Sequence, residues 1–164
     1  ENAFILERIA PQVARFRLAG LHLTDLMGME VRGMPTTAFF TPAARARAAE
    51  TVEQVFARPA IAELSLVAET GFGKPGLEAR LLILPLQSDL GDVSRALGCL
   101  VADGHIGRAP RRFDITEAAL TNVTGIAPLP RPSVTLPGFA ENPVPFATPP
   151  VVARGHLRLV KSDG

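Results

Sequence analysis

The sequence contains no tryptophan and no tyrosine; its aromatics are phenylalanine alone. An internal pocket would therefore lack the hydrogen-bonding rings that often hold sugars or flavins. A single cysteine, Cys99, excludes an internal disulfide and a multi-cysteine metal site. No apolar run approaches the roughly 18–20 residues that span a bilayer, and no signal-peptide pattern is present. Membrane insertion is not expected, and the expected compartment is the cytoplasm. An excess of one charge is also missing: the formal net charge is +1, which gives no global field to attract nucleic acid or anionic lipid. The basic residues are nearly all arginine and are scattered rather than clustered in runs.

What remains is 47% apolar residues in 164, enough for one real core. The length suits one domain, or one domain with a tail. Ala3 to Ile9 and Val13 to Leu18 read as two short strands, with Ala10-Pro11-Gln12 as the turn between them. From Leu18 to Phe40 the apolar positions are broken by glycine, with Gly28 five residues before Gly33. That spacing predicts short helical turns wound over something flat rather than one long helix. Thr41-Pro42 predicts a helix start, with Thr41 as the cap and Pro42 at the first helical position. Ala44, Ala48, Val52, Val55 and Phe56 then share one face, and Pro59 ends the helix.

Three more strands are expected at Ile61 to Thr70, Leu77 to Leu86 and Val93 to Ala102. Turn-rich connections of hairpin length join them, so antiparallel pairing follows. The last two are apolar on both sides near their centres, which marks central strands covered twice. The helices cover one face. An N-terminal helix outside this sequence, a second subunit or the tail must cover the other. Nine of the 15 prolines fall after Gly104. Arg111 to Ile115 suits one more short extended piece, Ala127 to Pro150 an extended linker, and Val151 to Val160 an added edge strand.

The order of elements resembles the PAS domain. The segment Asp25-Leu26-Met27-Gly28-Met29-Glu30-Val31-Arg32-Gly33-Met34-Pro35 is similar to the PAS pattern of an L-x-G turn, a second glycine five residues on, a nearby proline and an apolar pair. Gly28, Gly33, Pro35 and Phe39 hold those positions. Gly98-Cys99-Leu100-Val101 resembles the last PAS strand, and residues 104–113 look like the close of small stand-alone bacterial PAS regulators. The resemblance implies an α+β fold: a five-stranded antiparallel sheet with short helices and one longer helix on one face. It implies a sensor or interaction domain over residues 1–113, followed by a proline-rich tail over 114–164. Such domains bind small ligands between sheet and helices, dimerise, and signal to an effector. A homodimer and a downstream regulatory partner are the expected partners.

The chemical candidates are few. Gly71-x-Gly73-x-x-Gly76 matches a dinucleotide fingerprint, but a strand rather than a helix is expected after it, so NAD is not expected. Flavin-binding relatives carry a helical cysteine in an Asn-Cys-Arg-Phe-Leu run; Cys99 falls on an expected strand and that run is absent. Haem-binding relatives take a histidine from the longer helix, and Thr41 to Arg58 has none. His22 and Asp25 lie three apart and suit a proton-responsive or ligand-binding pair, a fragment of a metal site, or a surface hydrogen bond. Arg108, Arg111 and Arg112, with Phe113, form the densest basic patch, suited to phosphate, an acidic partner, plain solvation, or pairing with nearby Glu and Asp. No serine has nucleophile-elbow surroundings, and no metal site is expected.

Three function classes follow. The first is a regulatory, non-enzymatic PAS-like domain with an apolar cavity lined by Phe16, Leu26, Phe39, Phe56, Leu81, Ile83 and Cys99, with His22 at its mouth. Such a wall suits a small hydrophobic ligand. The second is a degenerate PAS domain, filled by its own side chains and acting only through dimerisation and partner contact. The third is a small cone-shaped isomerase or dehydratase with His22 and Asp25 as acid and base.

Overall fold

The computed structural model of the protein describes residues 1–123. The linker and edge strand expected at 127–150 and 151–160 lie outside the described residues. Strand β1 (Ala3–Ala10) turns at Pro11-Gln12 into β2 (Val13–Ala19). Gln12 takes a left-handed φ of 62° at that turn. Helix α1 (Leu21–Met27) ends at Gly28, whose φ of 70° lets its N–H reach back to the Thr24 carbonyl. A short 3₁₀ turn (Thr36–Phe39) and helix α2 (Arg45–Ala57) follow. The remaining strands are β3 (Ala60–Ala68), β4 (Glu78–Gln87), β5 (Val93–Asp103) and β6 (Phe113–Asn122).

All strand pairs are antiparallel, in the order β2-β1-β5-β4-β3-β6. The expected antiparallel α+β architecture holds, with β4 and β5 central. The strand number is six rather than five, because Phe113–Asn122 runs along the whole of β3, from Ala68↔Phe113 to Ala60↔Asn122. A register shift at Ser65/Leu66 breaks the alternation of β6 at Thr116. That break, with Ala118-Ala119 beyond it, hides the strand from a period-2 search.

Helix α2 packs its Ala48, Val52, Val55 and Phe56 face onto the sheet, as its periodicity requires. Its start differs from expectation. Thr41 does not cap it, since Pro42–Ala44 form an intervening turn. The Thr41 hydroxyl instead donates to the Asp114 carboxylate, and its N–H bonds the Phe113 carbonyl at 3.0 Å. Thr41 thus ties the approach to α2 onto β6.

The core lies between the sheet and the helical segment. Phe4 and Phe16 meet edge to face at 5.2 Å, and Phe16 meets Phe39 at 5.1 Å. Gly98 is required under them: a Cβ there would sit 2.1 Å from the Phe4 ring. The glycine lets that ring lie directly on the backbone of β5.

Candidate functional site

Two surfaces of the sheet compete as functional sites, the interior face and the open one. The interior space near Phe4, Phe16, Leu23, Thr36, Phe39 and Leu81 is about 10 Å³. That is roughly the room for one water, whereas ligand sites run from about 300 Å³ upward. Thr36, a buried polar residue on this wall, spends its hydroxyl on the Ala14 carbonyl at 3.0 Å.

Phe16, Phe39 and Leu81 line this space, as expected from their types. Leu26, Phe56 and Ile83 are buried in the same core without lining it. Cys99 lies apart from them. Its neighbours Gly98 and Leu100 face inward, so strand alternation turns Cys99 to the opposite face, where it is half-exposed. His22 sits in the first turn of α1, half-buried, with its Nε2 atom enclosed and unpartnered among the described residues. Asp25 is exposed on the same helix, and no hydrogen bond joins the two among the described residues. No group of three potential metal-ligating side chains occurs among the described residues.

One arginine of the basic patch departs from every reading given above, while Arg108 stays exposed. Arg111 is fully buried. Its guanidinium donates to the carbonyls of Ile106, Glu69 (3.2 Å) and Pro75 (2.6 Å), and its backbone N–H bonds the Leu26 carbonyl at 2.8 Å. It pins its own β5–β6 connection to the β3–β4 connection and to helix α1 rather than meeting phosphate. Nearby, Gly73 takes a φ of 72° in the β3–β4 connection, and the Arg108 N–H bonds its carbonyl at 2.7 Å. Strand β4, not a helix, follows Gly76, so the glycine triplet shapes a turn and builds no pyrophosphate cradle.

The open face carries the sheet's outward side chains. Its apolar centre includes Ile5, Leu82, Leu84, Leu97, Cys99 and Val101, joined through the registers Ile5↔Leu97, Leu84↔Leu97 and Leu82↔Cys99. At one end, Glu7 accepts from Arg15 at 2.9 Å and lies 3.8 Å from Arg17. The Arg15 hydrogen bond, with the charges of Arg17 and Arg95, holds the Glu7 carboxyl below the usual carboxylate range. At the other end a groove of about 780 Å³ runs over β3, β4, β5 and β6, past Glu78, Arg80, Val101, Asp103 and Glu117. The sequence carried a signal for this surface in the doubly apolar β4 and β5, but not for its charged ends.

A family model described as PAS domain matches residues 1–101. No curated protein matches the sequence. Among solved structures, the chain is similar to a light-oxygen-voltage domain studied with a flavin analogue. The TM-score is 0.50 at 20% identity, over 64% of this chain and 78% of that one. It is also similar to the light-state LOV domain of the blue-light photoreceptor Aureochrome1, with TM-score 0.45 at 12% identity, over 63% of this chain and 82% of that one. The first of these shares the antiparallel sheet described above, and at that identity the likeness is one of fold alone. The matched family model covers β1 through most of β5, more than half of the sequence; the chain therefore belongs to the PAS domain family.

Proposed function

We propose that this PAS domain is a regulatory, non-enzymatic module that acts through its surface, in self-association and protein contact, with its core filled by its own side chains. PAS domains are typically sensory or regulatory modules, and this reading selects one way of being so. The observation that carries it is the interior volume of about 10 Å³. Three phenylalanine rings, Phe4, Phe16 and Phe39, meet edge-on and tilted across the place a ligand would occupy. Meanwhile the apolar centre of the sheet's other face stays partly open to solvent, with Leu97 39% and Val101 48% exposed. Apolar area left uncovered in a soluble domain marks an interaction site.

The rival reading, a resident small apolar ligand, draws support from the chemistry of the same wall. Native mass spectrometry of the full chain separates the two. The expected spectrum shows the bare polypeptide mass. A retained small molecule at near-stoichiometric occupancy would overturn the filled-core reading. The flavin named for the neighbouring structure is not part of the proposal. Cys99 stands on the open face, and the sequence lacks the Asn-Cys-Arg-Phe-Leu run of flavin-binding relatives. Incubation with flavin mononucleotide should leave no bound absorbance after desalting.

A further inference from the structure

The sixth strand lies beyond the matched family segment, and the core does not need its outer half. Phe113 and Ile115 are buried at its root, but every residue from Thr116 to Asn122 is exposed. The two edges of the sheet are treated differently. The free side of β2 is covered by the chain itself. There the Phe16 N–H bonds the Met34 carbonyl at 3.0 Å, and the Gly33 N–H bonds the Phe16 carbonyl at 2.8 Å. The free side of β6 is covered only at its root. The Phe113 carbonyl accepts from the Thr41 N–H, and the Ile115 carbonyl accepts from Arg47, both at 3.0 Å.

The register says which groups that leaves open. Along an antiparallel strand, successive residues bond first one neighbour and then the other. Ala68 donates to Leu77, at the entry to β4, so the even residues of β3 face β4 and the odd ones face β6. Ser65↔Glu117, Glu63↔Ala119 and Ile61↔Thr121 are therefore the bonded pairs. Ala118, Leu120 and Asn122 turn their N–H and C=O groups outward, and none of these groups has a partner among the described residues. Exposed edges are usually blunted by lysine, proline or a bulge. From Glu117 to Asn122 the strand has none of these.

We propose that the outer edge of β6, from Glu117 to Asn122, takes an extended segment of a different protein as a further antiparallel strand. The side chains beside the edge set the chemistry of that segment. On the open-face side stand Glu117 and, across Ala119, Glu63. Neither carboxylate forms a salt bridge among the described residues. Ala119 is short enough for a lysine or arginine of the added strand to reach over it. On the helix side Ala118 and Leu120, the latter 38% exposed, offer apolar surface. The segment that fits alternates basic residues with small apolar ones. Backbone bonds supply its affinity and the alternation its specificity. A second copy paired antiparallel by the same edge would bring four carboxylates to one side of the seam. The proposal concerns the sheet's edge rather than its open face, and it does not depend on a filled core.

The test uses the full chain and the synthetic peptide acetyl-Thr-Lys-Val-Lys-Val-Lys-Thr-amide. Hydrogen exchange followed by NMR should show Ala119 and Thr121 protected in the free chain, and Ala118, Leu120 and Asn122 open. With about 1 mM peptide the three open amides should slow at least about tenfold. Leu120→Pro removes an outward donor and leaves the ladder to β3 intact, so it should fold and lose the peptide. Glu63→Lys with Glu117→Lys should weaken binding about fivefold or more at low salt, and less at high salt. Unchanged exchange with peptide would overturn the proposal, as would a folded Leu120→Pro that binds normally. Slowing that needs only more protein and no peptide would assign the edge to a second copy instead. Should Leu120→Pro fail to fold by circular dichroism, methylated peptides test the natural chain. Residues opposite Ala118 and Leu120 share their face, so the valines are the ones that bond the edge. N-methylation of the valines should abolish binding, and N-methylation of the lysines should spare it. Equal binding by both would overturn the proposal. A retained small molecule in native mass spectrometry would defeat the filled-core reading and leave these outcomes unchanged.

Discussion

The two faces of one sheet use the same strands in opposite ways. Toward the helices, β5 presents Ala96, Gly98 and Leu100; away from them, Arg95, Leu97, Cys99, Val101 and Asp103. Both faces are apolar at the centre. The covered face is closed by size matching: Gly98 gives way to the Phe4 ring, and Ala62, Ala79 and Ala96 make room for their larger neighbours. Its charge sits at the rim, where Arg8 reaches Glu53 of α2. The open face instead brackets its apolar centre with opposite charges at the two ends. An apolar strand residue is therefore not by itself a mark of the core. The distribution of charge around it separates the sealed face from the open one.

The sharpest test of that contrast uses adjacent residues of β5. Gly98→Val forces a branched side chain into the Phe4 ring, and the filled core offers the ring nowhere to go. The expected cost is about 3 kcal/mol or more in chemical denaturation. Cys99→Val, one residue along and facing out, should stay within about 0.5 kcal/mol. Coupling identifies the cause: Phe4→Ala combined with Gly98→Val should cost clearly less than the two changes added together. Full additivity would mean that the ring is not what Gly98 accommodates.

A milder version compares Ile83 with Leu84 on β4. Ile83 is fully buried, and Leu84 is half-buried on the open face. Ile83→Ala should cost about 2–5 kcal/mol. Leu84→Ala should cost below about 1.5 kcal/mol in dilute protein, and should weaken self-association at higher concentration. Equal losses in dilute solution would erase the distinction between the faces.

Much of this contrast was legible in the sequence, and the missing parts have physical reasons. Alternation in β1 to β5 and the face of α2 could be read directly, because each buries one side of a regular element. The phase of β5 could not. With Leu97, Cys99 and Val101 apolar on one side and Ala96, Gly98 and Leu100 on the other, nothing local says which set faces the helices. Cys99 was therefore expected among the cavity residues and stands on the other face. The sixth strand was hidden by its register shift at Thr116. The burial of Arg111 had no sequence signal at all, since its guanidinium meets backbone carbonyls of the β3–β4 and β5–β6 connections rather than a carboxylate. Nor does residue type report volume: a wall of Phe and Leu reads alike whether it encloses a ligand or closes on itself.

The smallest expected effects come from two glutamates, one on each side, that answer arginines. Glu53 accepts from Arg8 Nε at 3.1 Å and from the Gln12 N–H at 2.8 Å. The Arg8 bonds, aided by Gln12, hold its carboxyl below the usual glutamate range. Because the folded state favours the carboxylate, this contribution is complete above the ordinary glutamate range. It is lost as pH falls from there through the lowered folded value. Glu53→Gln should cost below about 1 kcal/mol near neutral pH, since the pair is partly solvated. It should also flatten the acid limb of the stability–pH curve. An unchanged acid limb would show that the Arg8–Glu53 pair does not couple β1 to α2. Glu7 is shifted in the same direction by Arg15, but on the open face, where it is also half-buried. Glu7→Gln removes the carboxylate that Arg15, Arg17 and Arg95 share. Stability should move less than in Glu53→Gln, because Glu7 and its arginines stand on strands already joined by backbone hydrogen bonds, whereas Arg8–Glu53 joins β1 to α2. A loss as large as that of Glu53→Gln in chemical denaturation would mean that linking two elements adds nothing to such a pair.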